Sequence, residues 1–446
     1  MTLQNISIPE KIRFVLNKLH QAGFEAYVVG GCVRDSLLGK EPYDWDIATS
    51  ATPEEIKKVF GGYQQIDTGI KHGTVMVLVD GELIEITTYR IDDQYTDGRR
   101  PDKVYFTDSI IEDLRRRDFT INACAMTDNH IIDPFGGQED LKNSIIRCVG
   151  NPKERFTEDA LRILRGIRFA SILGFQVEDR TKKAMLECMH LLRNISQERI
   201  TAEFCKALLG IKVYDTFREF RDIILFLIPE TEAMVGFVQY NDHHIYDVYE
   251  HSLKSVELIE KDTVLRVTMF FHDIGKPLCF SMDNNRIGHF YGHADISAQI
   301  TKKVLRRMRF SNRDTQDIVQ LIKYHNRQIA RTRKSINRLL REIGEIQFRR
   351  LLKVKRADAL AKNPLYFKEK LDHLDAIEEI LGNVLAEGAC INLKDLTIDG
   401  HDLIKLGIPQ GREIGIILNK LLDLVINEEI ENSREVLLEK AREFLV

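Results

Sequence analysis

The chain has 446 residues, 43% hydrophobic and 30% charged, with a formal net charge of −4 and seven cysteines. That length suggests about three domains and ample chain to bury cores. No apolar run approaches the ~20 residues a membrane span requires. The opening residues, Met1 to Ser7, lack the basic and apolar regions of a signal peptide. The cysteines form no Cys-x-x-Cys pair, so a reduced cytoplasmic protein is expected. The modest net charge hides an uneven distribution: Ser297 to Arg356 carries 18 Lys and Arg against 4 Asp and Glu. Polyanions are bound through local positive surface, not through total charge. The count does not separate RNA from another polyanion, and a solvated helical face is the lesser alternative.

In chain order, residues up to about Gly150 mix short strand-like runs with helices. Tyr27-Val28-Val29 reads as a buried strand leading into Gly30-Gly31. Gly73 to Val79 and Leu83 to Tyr89 flank Asp80-Gly81, a strong two-residue hairpin signal. From about Glu158 onward strand signals nearly vanish, and a 3.6-residue period takes over. The expected fold class is α+β. A small mixed α/β head over 1–150 precedes an all-helical remainder, divided into a neck over 151–230, a body over 231–375 and a tail over 376–446.

In the head, Asp44-Trp45-Asp46 sits in a strand-compatible context, where residues i and i+2 project from one face. Two neighbouring carboxylates repel, and a divalent cation such as Mg²⁺ removes the problem. Glu85, on the strand face shared by Thr87 and Tyr89, would complete a three-carboxylate site. Upstream, Gly30-Gly31-Cys32-Val33-Arg34-Asp35 follows a strand and precedes a helix-like stretch. Glycines there let backbone N–H groups approach a triphosphate, and Arg34 adds a charged fork. The Gly-Lys-Ser/Thr ending of a Walker loop is missing. Taken singly these signals are weak, since many Asp-x-Asp pairs are surface turns and a strand-to-helix turn needs no ligand.

Together, Gly30-Gly31-x-Val33-Arg34-Asp35, a short spacer and Asp44-x-Asp46 resemble the signature of the polymerase-beta-like nucleotidyltransferases of the CCA-adding enzyme and bacterial poly(A) polymerase family. Arg116-Arg117-Asp118-Phe119-Thr120-Ile121-Asn122-Ala123 resembles that family's second head motif, and Asp133-Pro134-Phe135-Gly136-Gly137 its end. The resemblance implies that Asp44 and Asp46 hold catalytic Mg²⁺, with Glu85 the third carboxylate. It implies nucleotide-binding roles for Gly30, Gly31, Arg34, Arg117, Asp118 and Asn122. The implied chemistry is in-line attack of an RNA 3′-hydroxyl on the α-phosphate of a nucleoside triphosphate.

Beyond the head, Glu158-Asp159-Ala160-Leu161-Arg162 and the following Ile163 to Ala170 are helical in pattern. Read alone, Glu158 and Arg162 form an ordinary i, i+4 pair. Asp159 and Arg162, three apart, would share a helix face and offer an acceptor beside a donor, matching the amine-plus-acceptor edge of cytosine and adenine. The similar Glu-Asp-x-x-Arg motif of the family implies base selection by Asp159 and Arg162, with Arg165 and Arg168 joining the nucleotide site. Asp97-Gly98-Arg99-Arg100-Pro101-Asp102 reads as a loop. It resembles the flexible head loop of members that add the terminal A.

Further on, His251, the pair His272-Asp273, and Asp358 resemble the His…His-Asp…Asp order of HD phosphohydrolases, with Phe270 to Pro277 the most diagnostic piece. The resemblance implies that the body is an HD-type metal domain. Imidazoles and carboxylates suit Mn²⁺, Fe²⁺, Ni²⁺ or Zn²⁺ without sharp selection among them. His293 and His325 would extend the site to a second metal or bind a phosphate. Leu396 to Leu403 and Gly407 to Gly415 resemble the family's C-terminal tRNA-gripping region, although in isolation they are helix-terminus signals. The resemblance as a whole implies CCA addition to tRNA from CTP and ATP, with an HD phosphohydrolase activity beside it. An enzyme adding only the terminal A, or a poly(A) polymerase, would share the head motifs. Neither a membrane nor a stable protein partner is implied.

Overall fold

The computed structural model describes residues 8–70, 73–92 and 104–444. The expected loop Asp97 to Asp102 lies outside the described residues. The chain divides between Leu227 and Ile228 into two compact units.

The first unit opens with α1 (Glu10–Gln21), whose Ile12, Val15, Leu16 and Leu19 form one buried stripe. There follow β1 (Ala26–Val29), α2 (Gly31–Leu37), β2 (Asp46–Thr49) and α3 (Pro53–Val59). Thr52 and Glu55 close a capping box at the start of α3, and Pro53 supplies its first turn. Next come β3 (Gln65–Gly69), β4 (Thr74–Val79) and β5 (Glu82–Thr88). Asp80 and Gly81 both have positive φ, 47° and 79°, as a type I′ hairpin turn demands. A short pair, β6 (Arg90–Asp92) with β7 (Val104–Phe106), precedes α4 (Ile110–Arg115), β8 (Ala125–Met126), β9 (Ile131–Ile132) and α5 (Gly137–Lys142).

Seven strands form one sheet in the order β3-β4-β5-β2-β1-β8-β9. Every pairing is antiparallel except β2 with β5. That one parallel contact decides the site, because Ile47 pairs with Ile86 and Ala48 with Thr87. One step back along both strands, Asp46 therefore lies beside Glu85 on the same face. Tyr89 continues that face but is fully buried against Val29, Ala48 and Ala125. Asp44 departs from expectation: β2 begins only at Asp46, and Asp44 sits exposed in the approach to the strand.

Helices complete this unit: α6 (Pro152–Glu158), α7 (Leu161–Leu173), α8 (Asp179–Cys188), α9 (Gln197–Leu208), α10 (Val213–Glu219) and α11 (Arg221–Leu227). The continuous helix expected through Glu158 to Ala170 is broken. Asp159 ends α6 in extended backbone, φ −141° and ψ 102°, and Ala160 is the N-cap of α7.

The second unit is helical: α12 (Val248–Leu258), α13 (Thr263–Phe271), α14 (His293–Arg307), α15 (Asn312–Tyr324), α16 (Arg333–Leu360), α17 (Phe367–Ala386), α18 (Gly400–Lys405), α19 (Arg412–Ile426) and α20 (Arg434–Glu443). Gly344, at φ 76°, interrupts α16. α17 runs across residue 375, where the sequence suggested a boundary. The tail has a core of its own built on Leu403, Leu421, Leu422 and Leu437. Asp399 caps α18 by accepting from the backbone N–H groups of His401 and Asp402, and Arg434 grips Asp402. The basic stretch from Ser297 to Arg356 is less bare than its composition suggests. Arg307, Arg333, Arg341, Lys353 and Arg356 pair with Glu230, Glu387, Asp423, Glu260 and Asp375, all contributed from outside the stretch. No described helix is long and apolar enough to cross a membrane.

Candidate functional site

Asp46 and Glu85 face a cavity of about 220 Å³ on the head sheet, together with Thr74, Arg90 and Arg117. Burial raises the Asp46 carboxyl above its ordinary range, and the Asp44 charge adds to this against the pull of Arg117. Burial likewise raises Glu85, followed by the charges of Asp46 and Asp44. The three carboxylates therefore feel one another across the site. They are not drawn into a tight cage: among the described residues, the groups of ligand atoms within 4.8 Å of one another lie in the helical unit.

The glycine turn is shaped around an arginine. Gly30 has φ 80°, and a Cβ there would lie 2.8 Å from Arg117 Nη1 and 3.9 Å from Asp46 Oδ2. Arg117 is held by Asp113, donating from Nη2 at 3.2 Å, and Arg116 donates to the same carboxylate at 2.7 Å. Asp113 is 1% exposed, and its two guanidinium partners overcome burial to hold its carboxyl low. Sequence reading missed Asp113. Its only signal was an i, i+3 and i, i+4 relation to Arg116 and Arg117, which usually marks a solvated helix face.

A second chain of contacts joins the two arginine-rich motifs. Arg34 Nη1 donates to Asn122 Oδ1 at 2.8 Å, and Asn122 Nδ2 donates to Asp118 Oδ1 at 3.2 Å. Asp118 Oδ2 accepts from Arg165 Nε at 2.6 Å. Burial alone would raise Asp118, but Arg165 outweighs it and the carboxyl sits at about 2. Arg34, Arg165 and Arg168 surround the ring of Phe169 at 5.3, 5.5 and 4.4 Å. Arg168 also pairs with the buried Glu203 at 2.9 Å. The result is a set of guanidiniums oriented by acids and an aromatic face, suited to a polyphosphate.

Asp159 and Arg162 are not placed as i, i+3 neighbours on one helix, because α6 ends between Glu158 and Asp159. Arg162 is 8% exposed. It donates from Nη1 to Glu158 Oε2 at 2.8 Å and from Nη2 to the Arg116 carbonyl at 3.0 Å. Asp159 Oδ1 accepts from the Leu161 N–H, and Oδ2 accepts from Arg199 Nη2 at 2.9 Å. Neither Arg199 nor Glu203 carried a sequence signal, since α9 meets this region only through the tertiary fold.

In the helical unit, the four residues predicted as a metal site converge. His251 Nε2 lies 3.0 Å from Asp358 Oδ1 and 3.5 Å from Asp273 Oδ2. His272 Nε2 lies 3.2 Å from Asp273 Oδ2 and 3.6 Å from Asp358 Oδ1. His293 and His325 join the cluster through Asp273 Oδ1 at 3.4 and 3.5 Å. Two lysines complete the surroundings: Lys276 Nζ is 2.7 Å from Asp273 Oδ2, and Lys362 Nζ is 2.6 Å from Asp358 Oδ2.

Comparison with known proteins assigns the family. Residues 26–147 match the "Poly A polymerase head domain" model, 174–234 the "Probable RNA and SrmB- binding site of polymerase A" model, and 286–441 the "tRNA nucleotidyltransferase domain 2 putative" model. The CCA-adding enzyme of Lactobacillus helveticus is 38% identical over 95% of this chain and 94% of its own. That of Ligilactobacillus salivarius is 38% identical over 97% and 95%. The Bacillus stearothermophilus CCA-adding enzyme, solved in complex with CTP, superposes with a TM-score of 0.71 at 27% identity, covering 98% of this chain and 97% of that one. With its sheet, its three head carboxylates and its guanidinium cluster in the same chain, this protein belongs to the CCA-adding enzyme family, the metal-dependent nucleotidyltransferases of tRNA.

Proposed function

We propose that Asp44, Asp46 and Glu85 form the catalytic centre at which CCA is built onto the 3′ end of tRNA from CTP and ATP. The observation that carries this reading is the parallel β2–β5 register, which sets Asp46 beside Glu85 on an open face of the sheet. The donor set is all oxygen, and the burial and mutual repulsion that raise Asp46 and Glu85 are what a hard divalent ion relieves, so Mg²⁺ fits. When bound, it supplies charge stabilisation to the attacking and leaving oxygens of an in-line displacement. The chain's own residues do the positioning. Backbone at Gly30 and Gly31 admits the triphosphate, and Arg34, Arg117, Arg165 and Arg168 gather its charge. Asp118 and Asn122 fix the directions of Arg165 and Arg34, Asp113 that of Arg117, and Glu203 that of Arg168. The RNA 3′-oxygen forms its bond to the α-phosphorus as the bond to the pyrophosphate oxygen breaks.

Asp159 and Arg162 select the base in this reading, with the Asp159 carboxylate accepting from the exocyclic amine that cytosine and adenine share. Tethers from Arg199 and Glu158 hold the two side chains in place, so selectivity comes from rigidity as much as from charge. Supplying tRNA lacking three, two or one terminal nucleotides with each triphosphate in turn tests the assignment. Ordered addition of C, C and A supports it. Addition of A alone, or an open-ended A tract, would replace it with one of the two rival activities.

A second reading concerns the helical unit, where His251, His272, Asp273 and Asp358 fit a transition-metal ion by donor type and by convergence. An HD phosphohydrolase activity toward a phosphate ester is the function this cluster supports. Metal-dependent hydrolysis of p-nitrophenyl phosphate, lost in Asp358→Ala, is its test.

A further inference from the structure

Several basic side chains of the helical unit are answered by acids, but a group close to the buried cluster is not. A cavity of about 350 Å³ opens between α16, α17 and the loop that joins α15 to α16. It shares Asp358 and Lys362 with a second cavity, of about 320 Å³, that reaches Asp273 and Lys276 in the cluster. Five cationic side chains line the first cavity against two carboxylates, Asp358 and Glu369. Asp358 is already engaged by Lys362 at 2.6 Å and by His251 at 3.0 Å. Among the cations, Arg327 is paired with Glu342, and Lys355 donates to the carbonyls of His325 and Arg327, both at 2.7 Å. Arg331 and Lys370 are left.

Arg331 is aimed by a histidine. His373 Nε2 faces the Ile329 carbonyl at 2.9 Å, and a carbonyl can only accept, so Nε2 carries the hydrogen. The Nδ1 lone pair then accepts from Arg331 Nε at 2.9 Å. This fixes the guanidinium plane, while its two Nη groups meet no acceptor among the described residues. Lys370 forms no ion pair among the described residues, and burial followed by the charge of Lys362 lowers its ammonium below the ordinary lysine range. Cations gathered in this way repel one another, and an anion between them removes the repulsion. The floor of the cavity is apolar, built of the buried Ile329, Leu374 and Ile377. An apolar floor under a cationic rim suits a nucleotide better than a bare ion.

We infer that this cavity is a phosphate subsite separate from the histidine cluster, in which Arg331, Lys362 and Lys370 receive one phosphoryl group of a nucleotide that carries two. The other phosphoryl group lies at the cluster, and Lys362, which lines both cavities, lets one ligand span them. The placement of that other group rests on the phosphate ester reading of the cluster. The subsite itself needs no metal.

Hydrolysis and anion binding test the two parts separately. With Mn²⁺, Arg331→Gln and Lys370→Gln should each raise KM for adenosine 3′,5′-bisphosphate by about 10-fold or more, the effect of losing a charge-assisted contact. KM for p-nitrophenyl phosphate, which has a single phosphoryl group, should stay within about twofold. A 3′-phosphorylated RNA dinucleotide distinguishes the sources: an equal or larger effect there assigns the subsite to RNA ends, and an effect on the mononucleotide alone assigns it to free nucleotides. In crystals of the full chain soaked in selenate with EDTA, an anomalous peak should appear between Arg331 and Lys370 and be missing from Lys370→Gln. KM values that are unchanged for both nucleotides, or that rise equally for p-nitrophenyl phosphate, would overturn the subsite, as would a cavity empty of selenate. A selenate peak in a protein that hydrolyses none of the three esters would support the subsite and overturn the hydrolytic reading of the cluster.

Discussion

Arg117 occupies the space that a side chain on Gly30 would need: a Cβ at that glycine would fall 2.8 Å from Arg117 Nη1. Asp113 restrains the guanidinium, and the backbone at Gly30 is left-handed, so neither partner can yield cheaply. Gly30→Ala should cost about 1–2 kcal/mol of stability from the positive φ alone. The displaced guanidinium should also slow nucleotide incorporation by about 10- to 100-fold. Denaturant unfolding and a steady-state incorporation assay would measure the two effects separately. Wild-type behaviour in both would show that the turn has no role in holding Arg117.

Asp118 ties stability to pH. Its carboxyl sits at about 2 in the folded chain because Arg165 outweighs burial. A depressed carboxyl contributes stability that is present above its unfolded pKa and is lost as pH falls through the folded value. A shift of this size corresponds to about 2–3 kcal/mol. Asp118→Asn should therefore be destabilised by about that much near neutral pH. The gap from wild type should narrow between roughly pH 4 and pH 2. A gap independent of pH would mean that the ion pair with Arg165 is not its source.

Base choice should depend on a residue outside the Glu158-Asp159-x-x-Arg162 motif. Asp159→Ala should lower the ratio of kcat/KM for CTP over UTP by roughly 5- to 150-fold, the range for losing a bidentate base contact. Because Arg199 holds Asp159 Oδ2 at 2.9 Å, Arg199→Ala should move the ratio in the same direction by less. An unchanged ratio in both variants would reduce Asp159 to a helix-terminus residue.

The two metal regions should be separable. Asp358→Ala should remove transition metal from the helical unit, along with any phosphate ester hydrolysis. CTP and ATP addition by the head should persist. Loss of nucleotide addition in that variant, with its fold intact by circular dichroism, would contradict the separation.

How much of this was legible in the sequence depends on the range of each interaction. The hairpin at Asp80-Gly81 is a local property and could be read directly, but the meeting of Asp46 with Glu85 depends on the register of two strands distant in sequence, and Asp44, expected on the strand face of Asp46, lies before the strand. The break at Asp159 could not be read either. Nothing in Glu158 to Ala170 interrupts a helical pattern, and the extended backbone there goes with tertiary contacts to Arg199 and with Asp159 capping the Leu161 N–H. Asp113 and Glu203 were invisible for a related reason. An acid on an amphipathic helix reads as solvated until the fold supplies buried arginines. In the helical unit, the order of histidines and aspartates pointed to a metal. The division of the cluster about the two oxygens of Asp273 required coordinates.

The claim that Asp46 and its neighbours drive CCA synthesis is tested most directly by single-turnover incorporation of labelled CTP and ATP into tRNA lacking its last three nucleotides. The parent protein should add C, C and A in order and stop. Asp46→Ala should fall by at least about 100-fold, since losing an acidic metal ligand forfeits several kcal/mol of transition-state stabilisation. Its affinity for the tRNA, measured by filter binding, should stay within about twofold, because the residue faces the nucleotide cavity. Incorporation by Asp46→Ala at close to the parent rate would contradict the account.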